Sequence, residues 1–85
     1  MTVTVYTMQN CIQCRNTQIV LDKNGVEYST IDIRKDPRAL EVLDKYNFQS
    51  APVVIVDENG ETDAWCGFRT DKLNELAEKS STVLA

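Results

Sequence analysis

Apolar and polar positions change period several times along the chain, and each change marks an element. Thr2-Val3-Thr4-Val5-Tyr6-Thr7 reads as a strand from about Val3 to Thr7, because β-branched and aromatic residues fit a pleated surface. Met8-Gln9-Asn10 is a short loop. A helix follows from about Ile12 to Lys23, with Ile12, Ile19, Val20 and Leu21 expected to supply its apolar surface. Asn24-Gly25 is a stop, since glycine tolerates the left-handed backbone past a helix end. From Val26 to Ile33, Ser29, Ile31 and Ile33 alternate with Tyr28, Thr30 and Asp32, which predicts a second strand.

Asp36-Pro37 opens the next helix: aspartate caps free N–H groups and proline suits the first helical position. Ala39, Leu40, Val42 and Leu43 then recur at helical spacing as far as Tyr46. Val53-Val54-Ile55-Val56 is a continuous β-branched run, the mark of a strand buried on both faces. Asp57-Glu58-Asn59-Gly60 is a hairpin turn, and the return strand runs from about Thr62 to Cys66. A last helix begins near Thr70 or Asp71, with Leu73, Leu76 and Ala77 on one side. The order is β-α-β-α-β-β-α. The first βαβ unit should be parallel and right-handed, and the hairpin adds two antiparallel strands. The expected fold is α/β and thioredoxin-like, a four-stranded mixed sheet with helices on both faces. Residues 1–79 should form the domain and residues 80–85 a tail.

Composition narrows the function. At 85 residues and 42% apolar, the chain has material for one small packed core. A net charge of −4 argues against nucleic acid or an anionic membrane surface as partner. No apolar run has membrane-spanning length, and no basic-then-apolar segment opens the chain. Three cysteines are an odd count, a poor fit to a secreted disulfide scaffold, so a reducing cytoplasm is the expected compartment. The absence of histidine removes His-assisted nucleophilic catalysis and any zinc site with an imidazole ligand.

The chemistry concentrates in Cys11-Ile12-Gln13-Cys14, placed between the first strand and the first helix. Residues three apart share a helix face, so the two sulfurs can reach bonding distance with little backbone movement. The first sulfur meets the free N–H groups and dipole of the helix start, which lowers its pKa, and the thiolate is the nucleophile. Arg15 is the only nearby cation in sequence, so the drop should be moderate and suit a reductant. Two other readings compete. C-x-x-C is also half of a zinc site, but Cys66 is the only further thiol. The thiols would be inert if simply buried, which the loop-to-helix placement opposes. No metal and no tightly bound cofactor is expected.

Two further segments carry a family resemblance. Ser50-Ala51-Pro52 before a buried strand resembles the cis-proline segment of thioredoxins and glutaredoxins. The resemblance implies that Ala51 and Pro52 face the thiol pair and meet the substrate chain. Trp65-Cys66-Gly67-Phe68-Arg69-Thr70-Asp71 resembles the Trp-Ser-Gly-Phe-Arg-Pro-Asp signature of the NrdH-redoxins. Ile12-Gln13 resembles the Met/Val-Gln pair common inside their C-x-x-C. The likeness spans about residues 2–79; Cys66 in place of serine and Thr70 in place of proline depart from it.

That resemblance implies a dithiol electron donor with catalytic Cys11 and Cys14 cycling through a Cys11–Cys14 disulfide. It implies thioredoxin reductase and the large subunit of class Ib ribonucleotide reductase as partners, electrons from NADPH, and a monomer. Ile12, Gln13, Ala51, Pro52, Trp65, Gly67, Phe68 and Arg69 become the partner-contact set. Trp65 and Phe68 also read as core aromatics, Gly67 as a backbone requirement, and Arg69 as an ion-pair partner of Asp71. Cys66 reads either as a small stand-in for serine or as a third thiol beside the site. Glutaredoxins hold glutathione with acids after a Gly-Gly and often a lysine before the C-x-x-C. Here those places carry Phe68-Arg69-Thr70 and Met8-Gln9-Asn10, which implies weak glutathione use. A glutathione-dependent glutaredoxin and a non-catalytic metal-binding or interaction domain remain the alternatives.

Overall fold

In the computed structural model, which describes residues 1–84 with the side chains of 80–84 left aside, seven elements follow the expected order. They are β1 (Thr2–Thr7), α1 (Ile12–Lys23), β2 (Ser29–Asp32), α2 (Pro37–Lys45), β3 (Val53–Glu58), β4 (Glu61–Cys66) and α3 (Thr70–Leu84). The sheet order is β2-β1-β3-β4. β1 and β2 are parallel, Thr4 opposite Ser29, while β1/β3 and β3/β4 are antiparallel.

Side-chain alternation divides the interior in two. Val3 and Val5 of β1, Val54 and Val56 of β3 and Trp65 of β4 face one side, where Leu21 of α1 and Leu73 and Leu76 of α3 cover them. Tyr6, Val53 and Ile55 face the other, under Ala39 and Leu43 of α2. β3 is sandwiched between both cores, which is why Val53–Val56 has no polar alternation.

Three expectations are corrected. β2 starts at Ser29 rather than Val26, because the Val26 N–H donates to the Leu21 carbonyl and closes α1. Gly25 (φ 69°) supplies the left-handed residue of that closure. α1 does not bury Ile12 or Ile19, which are 76% and 55% exposed; Cys14, Thr17 and Leu21 face inward instead. Leu40 likewise points to solvent on α2. Asn47, in the left-handed region at φ 58°, ends α2 in the same way as Gly25 ends α1, with the Phe48 N–H on the Leu43 carbonyl. At the hairpin, Asn59 (φ 53°) and Gly60 (φ 80°) make the expected two-residue turn, with Glu58 opposite Glu61. α3 runs to Leu84, past the expected end at residue 79; the proposed 80–85 tail falls where side chains, and residue 85 altogether, lie outside the described residues.

Candidate functional site

The site lies where β1 hands over to α1. Asn10 takes a left-handed conformation (φ 59°), which asparagine tolerates better than most residues, and this turns the chain into Cys11. Cys11 is the N-cap of α1, with extended backbone (φ −107°, ψ 106°). Its sulfur accepts the Cys14 backbone N–H at 3.1 Å. Cys11 and Cys14 are joined as a disulfide, their Cα atoms 5.3 Å apart. The two sulfurs are not equivalent: Cys11 is half-buried at the surface, whereas Cys14 is 2% exposed.

The Ser50-Ala51-Pro52 segment packs against this pair. The Ala51–Pro52 peptide is cis. The Ala51 carbonyl oxygen lies 3.9 Å from the Cys11 sulfur, and Pro52 is buried. The Pro52 carbonyl accepts the Gly67 N–H at 2.8 Å, tying the loop after β4 to the proline turn. Gly67 has φ 89°, a backbone that side-chain-bearing residues rarely adopt, so its expected backbone role holds. Gln13 completes the enclosure: its side-chain oxygen accepts the Phe68 N–H at 3.2 Å, across 55 residues of sequence. Gln13 thus braces the loop against the thiol-bearing turn, while Ile12 beside it points outward.

Trp65 is a correction. It is 4% exposed, opposite Val54 and inside the α1/α3 core, so its ring is not a contact surface. Its indole N–H is buried and has no hydrogen-bond partner among the described residues. Phe68 is half-buried against the same core. Arg69 makes the ion pair with Asp71, Nε to Oδ1 at 3.1 Å and a terminal nitrogen to Oδ2 at 2.8 Å. Those hydrogen bonds hold the Asp71 carboxyl down at about 2. Cys66 points to the opposite face of β4, half-buried, its sulfur 3.2 Å from both the hydroxyl and the carbonyl oxygen of Ser50. The thiol therefore keeps a polar contact at a place where weaker donation by sulfur had put one in doubt.

Sequence reasoning passed over the backbone role of Asn10 and the Ser50–Cys66 contact, and it placed Ile19 on the buried side of α1. Asn10 carried a signal in its left-handed tolerance; the Ser50–Cys66 contact carried none, because 16 residues separate the two. Among the described residues, no group of three or more His, Cys, Asp or Glu is placed to hold a metal ion. No helix among them is long and apolar enough to cross a membrane.

Comparison with known proteins agrees with this geometry. The glutaredoxin family model matches residues 3–60. The glutaredoxin-like protein NrdH of Escherichia coli (strain K12) is 34% identical over 76 residues, which is 89% of each chain. The protein of that name from Lactococcus lactis subsp. cremoris (strain MG1363) is 33% identical over 75 residues, 88% of this chain and 99% of its own. The solved structure of the glutaredoxin-like NrdH-redoxin from Escherichia coli, described for its thioredoxin-like activity profile, superposes with a TM-score of 0.80 at 34% identity. It covers 89% of this chain and 95% of that one.

Proposed function

From the premise that the chain belongs to the glutaredoxin family, in its NrdH branch, we propose that it is a dithiol electron donor that reduces protein disulfides. One observation carries the reading: a reachable sulfur caps a helix and is bonded to a buried sulfur one turn away. In the reduced protein, the Cys14 N–H and the start of α1 favour negative charge on Cys11. The Cys11 thiolate attacks one sulfur of the substrate disulfide. A Cys11–substrate bond forms as the substrate S–S bond breaks, and the departing sulfur takes a proton. Cys14 then gives up its proton and attacks the Cys11 sulfur. The internal disulfide closes and the second substrate thiol leaves. Two electrons have passed to the substrate with two protons, one from Cys14 and one from solvent, and the protein is left in the state the structure holds.

The burial of Cys14 supports its assignment as the resolving thiol, shielded from outside disulfides until one is anchored at Cys11. Ala51, with Gly67, Phe68 and Arg69 behind it, forms the rim a substrate chain would meet, while Pro52, whose ring is buried, shapes the turn beneath it rather than offering a contact. Gln13 holds that rim in place. The finer reading is that NADPH supplies the electrons through thioredoxin reductase and that class Ib ribonucleotide reductase, by its large subunit, receives them. The protein works in the cytoplasm as a monomer. Two features support thioredoxin reductase over glutathione. The acid nearest the Gly67 loop, Asp71, is already clamped by Arg69, and no lysine precedes Cys11.

Coupled NADPH oxidation tests this. Turnover with thioredoxin reductase is expected, and activity only with glutathione and its reductase would overturn the assignment. A Cys14→Ser variant should accumulate a mixed disulfide through Cys11 with its physiological partner, identified by mass; capture through Cys66 instead contradicts the mechanism.

A further inference from the structure

Ile12, Arg15 and Ile19 lie on one stripe of α1, one turn and then two turns from the helix start. The stripe faces solvent: Ile12 and Ile19 are 76% and 55% exposed, and Arg15 is exposed between them. It lines an open trough of about 720 Å³ together with Met8, Cys11 and Cys14. A second depression, along Tyr28 and Ser29, shares Gln18 and Asp22 with the first, so the concavity continues from the disulfide towards the free edge of β2.

Arg15 is the cation on this stripe, and Asp22 also lines the trough. Arg38, Arg69, Lys72 and Lys79 each have a carboxylate partner. Arg15, like Lys23, Arg34, Lys35 and Lys45, forms no such ion pair among the described residues, and of these it is the one that lines the trough. The reactive sulfur thus opens onto a run of aliphatic, cation, aliphatic, with the cation unneutralised. Its length and openness fit a stretch of chain better than a small enclosed ligand.

We propose that this stripe seats the polypeptide segment flanking the sulfur that Cys11 attacks, and that the preferred segment carries an apolar residue against Ile12 and Ile19 and a carboxylate within reach of Arg15. The inference rests on the dithiol reading and adds the chemistry of the substrate's docking segment. Contiguity with Cys11 and the unpaired cation carry it.

Two disulfide-closed peptides test it, identical except for Asp or Lys beside the outer cysteine and each with a leucine further along, with bis(2-hydroxyethyl) disulfide as a small uncharged reference. At low ionic strength the reduced protein should process the Asp peptide about three- to tenfold faster than the Lys peptide in kcat/KM, the scale of an exposed ion pair exchanged for a repulsion. Salt at about 0.5 M should close most of that gap. Arg15→Glu should reverse the order of the two peptides; because the readout is a ratio, any change in the reactivity of Cys11 cancels. Ile19→Ser should lower the rate on either peptide, relative to the small disulfide, by about fivefold. Equal rates for the two peptides, or ratios unchanged in both variants, overturn the docking proposal while leaving the dithiol reading intact. Failure to reduce even the small disulfide sinks the dithiol reading itself. A concentration-dependent dimer that Ile19→Ser dissolves assigns the stripe to a second copy of the chain and equally overturns the proposal.

Discussion

At the scale of single residues, the two cysteines differ first in exposure, Cys14 being 2% exposed and Cys11 half-buried. Cys11 gains its N-cap place from backbone geometry, and Cys14 is buried because positions 14, 17 and 21 turn inward together. Spacing alone made the pair visible in the sequence, but not which sulfur lies deeper. Asp71 offers a sharper residue-level test. Its carboxyl titrates at about 2 in the folded protein against an ordinary 3.8, because it accepts hydrogen bonds from Arg69. A depressed folded value means the clamp favours the folded state above about pH 4, and that contribution is lost as pH falls from about 4 to about 2. Carboxyl carbon NMR should place the Asp71 midpoint near the lower figure. Asp71→Asn should remove the Asp71 share of the pH dependence of stability in that window, leaving the share of Asp36, which its hydrogen bonds from Arg38 also hold down; an ordinary Asp71 midpoint near 4 would show that the ion pair does not form in solution.

At the scale of elements, turn chemistry and the facing of α3 were read correctly, and the rotation of α1 was not. Asn24-Gly25, Asp36-Pro37 and Asn59-Gly60 each do locally what their residue types require. Gly60 at φ 80° has open space around it, so a side chain there meets no clash and suffers only backbone strain. Gly60→Ala is therefore expected to destabilise by about 1 kcal/mol, read from urea midpoints at unchanged m-value. A neutral result would mean that the hairpin relaxes into another turn. α1 is the contrary case. Its isoleucines were assigned inward on hydrophobicity, yet the inward stripe holds a cysteine, a threonine and a leucine. Thr17 is fully buried because its hydroxyl is satisfied by the Gln13 carbonyl at 2.9 Å.

At the scale of the whole molecule, one sheet separates two small cores, and the redox turn stands on the larger. Leu21 of α1 and Leu73 of α3, each 1% exposed, are buried in the same core, so the contact of α3 with that core supports α1. Leu73→Ala removes buried methyls from that contact and should cost about 2–5 kcal/mol, a large share of the 5–15 typical of a domain. Thermal unfolding should show the loss, and thiol accessibility of Cys14 in the reduced protein should rise with it. A variant as stable as the parent would mean that α3 does not support the redox turn.

Residue order was enough to reveal the strand, turn and helix punctuation, the thiol pair, and the loop that resembles a known signature, because each depends on neighbours within a few positions. The facing of α1, the burial of Trp65, the reach of Gln13 to Phe68 and the contact of Cys66 with Ser50 emerged only once the elements were packed. Those depend on how each helix is rotated against the sheet and on which distant strands lie side by side. Many rotations satisfy the apolar pattern of a short helix about equally well. Only the shape of the assembled core selects among them.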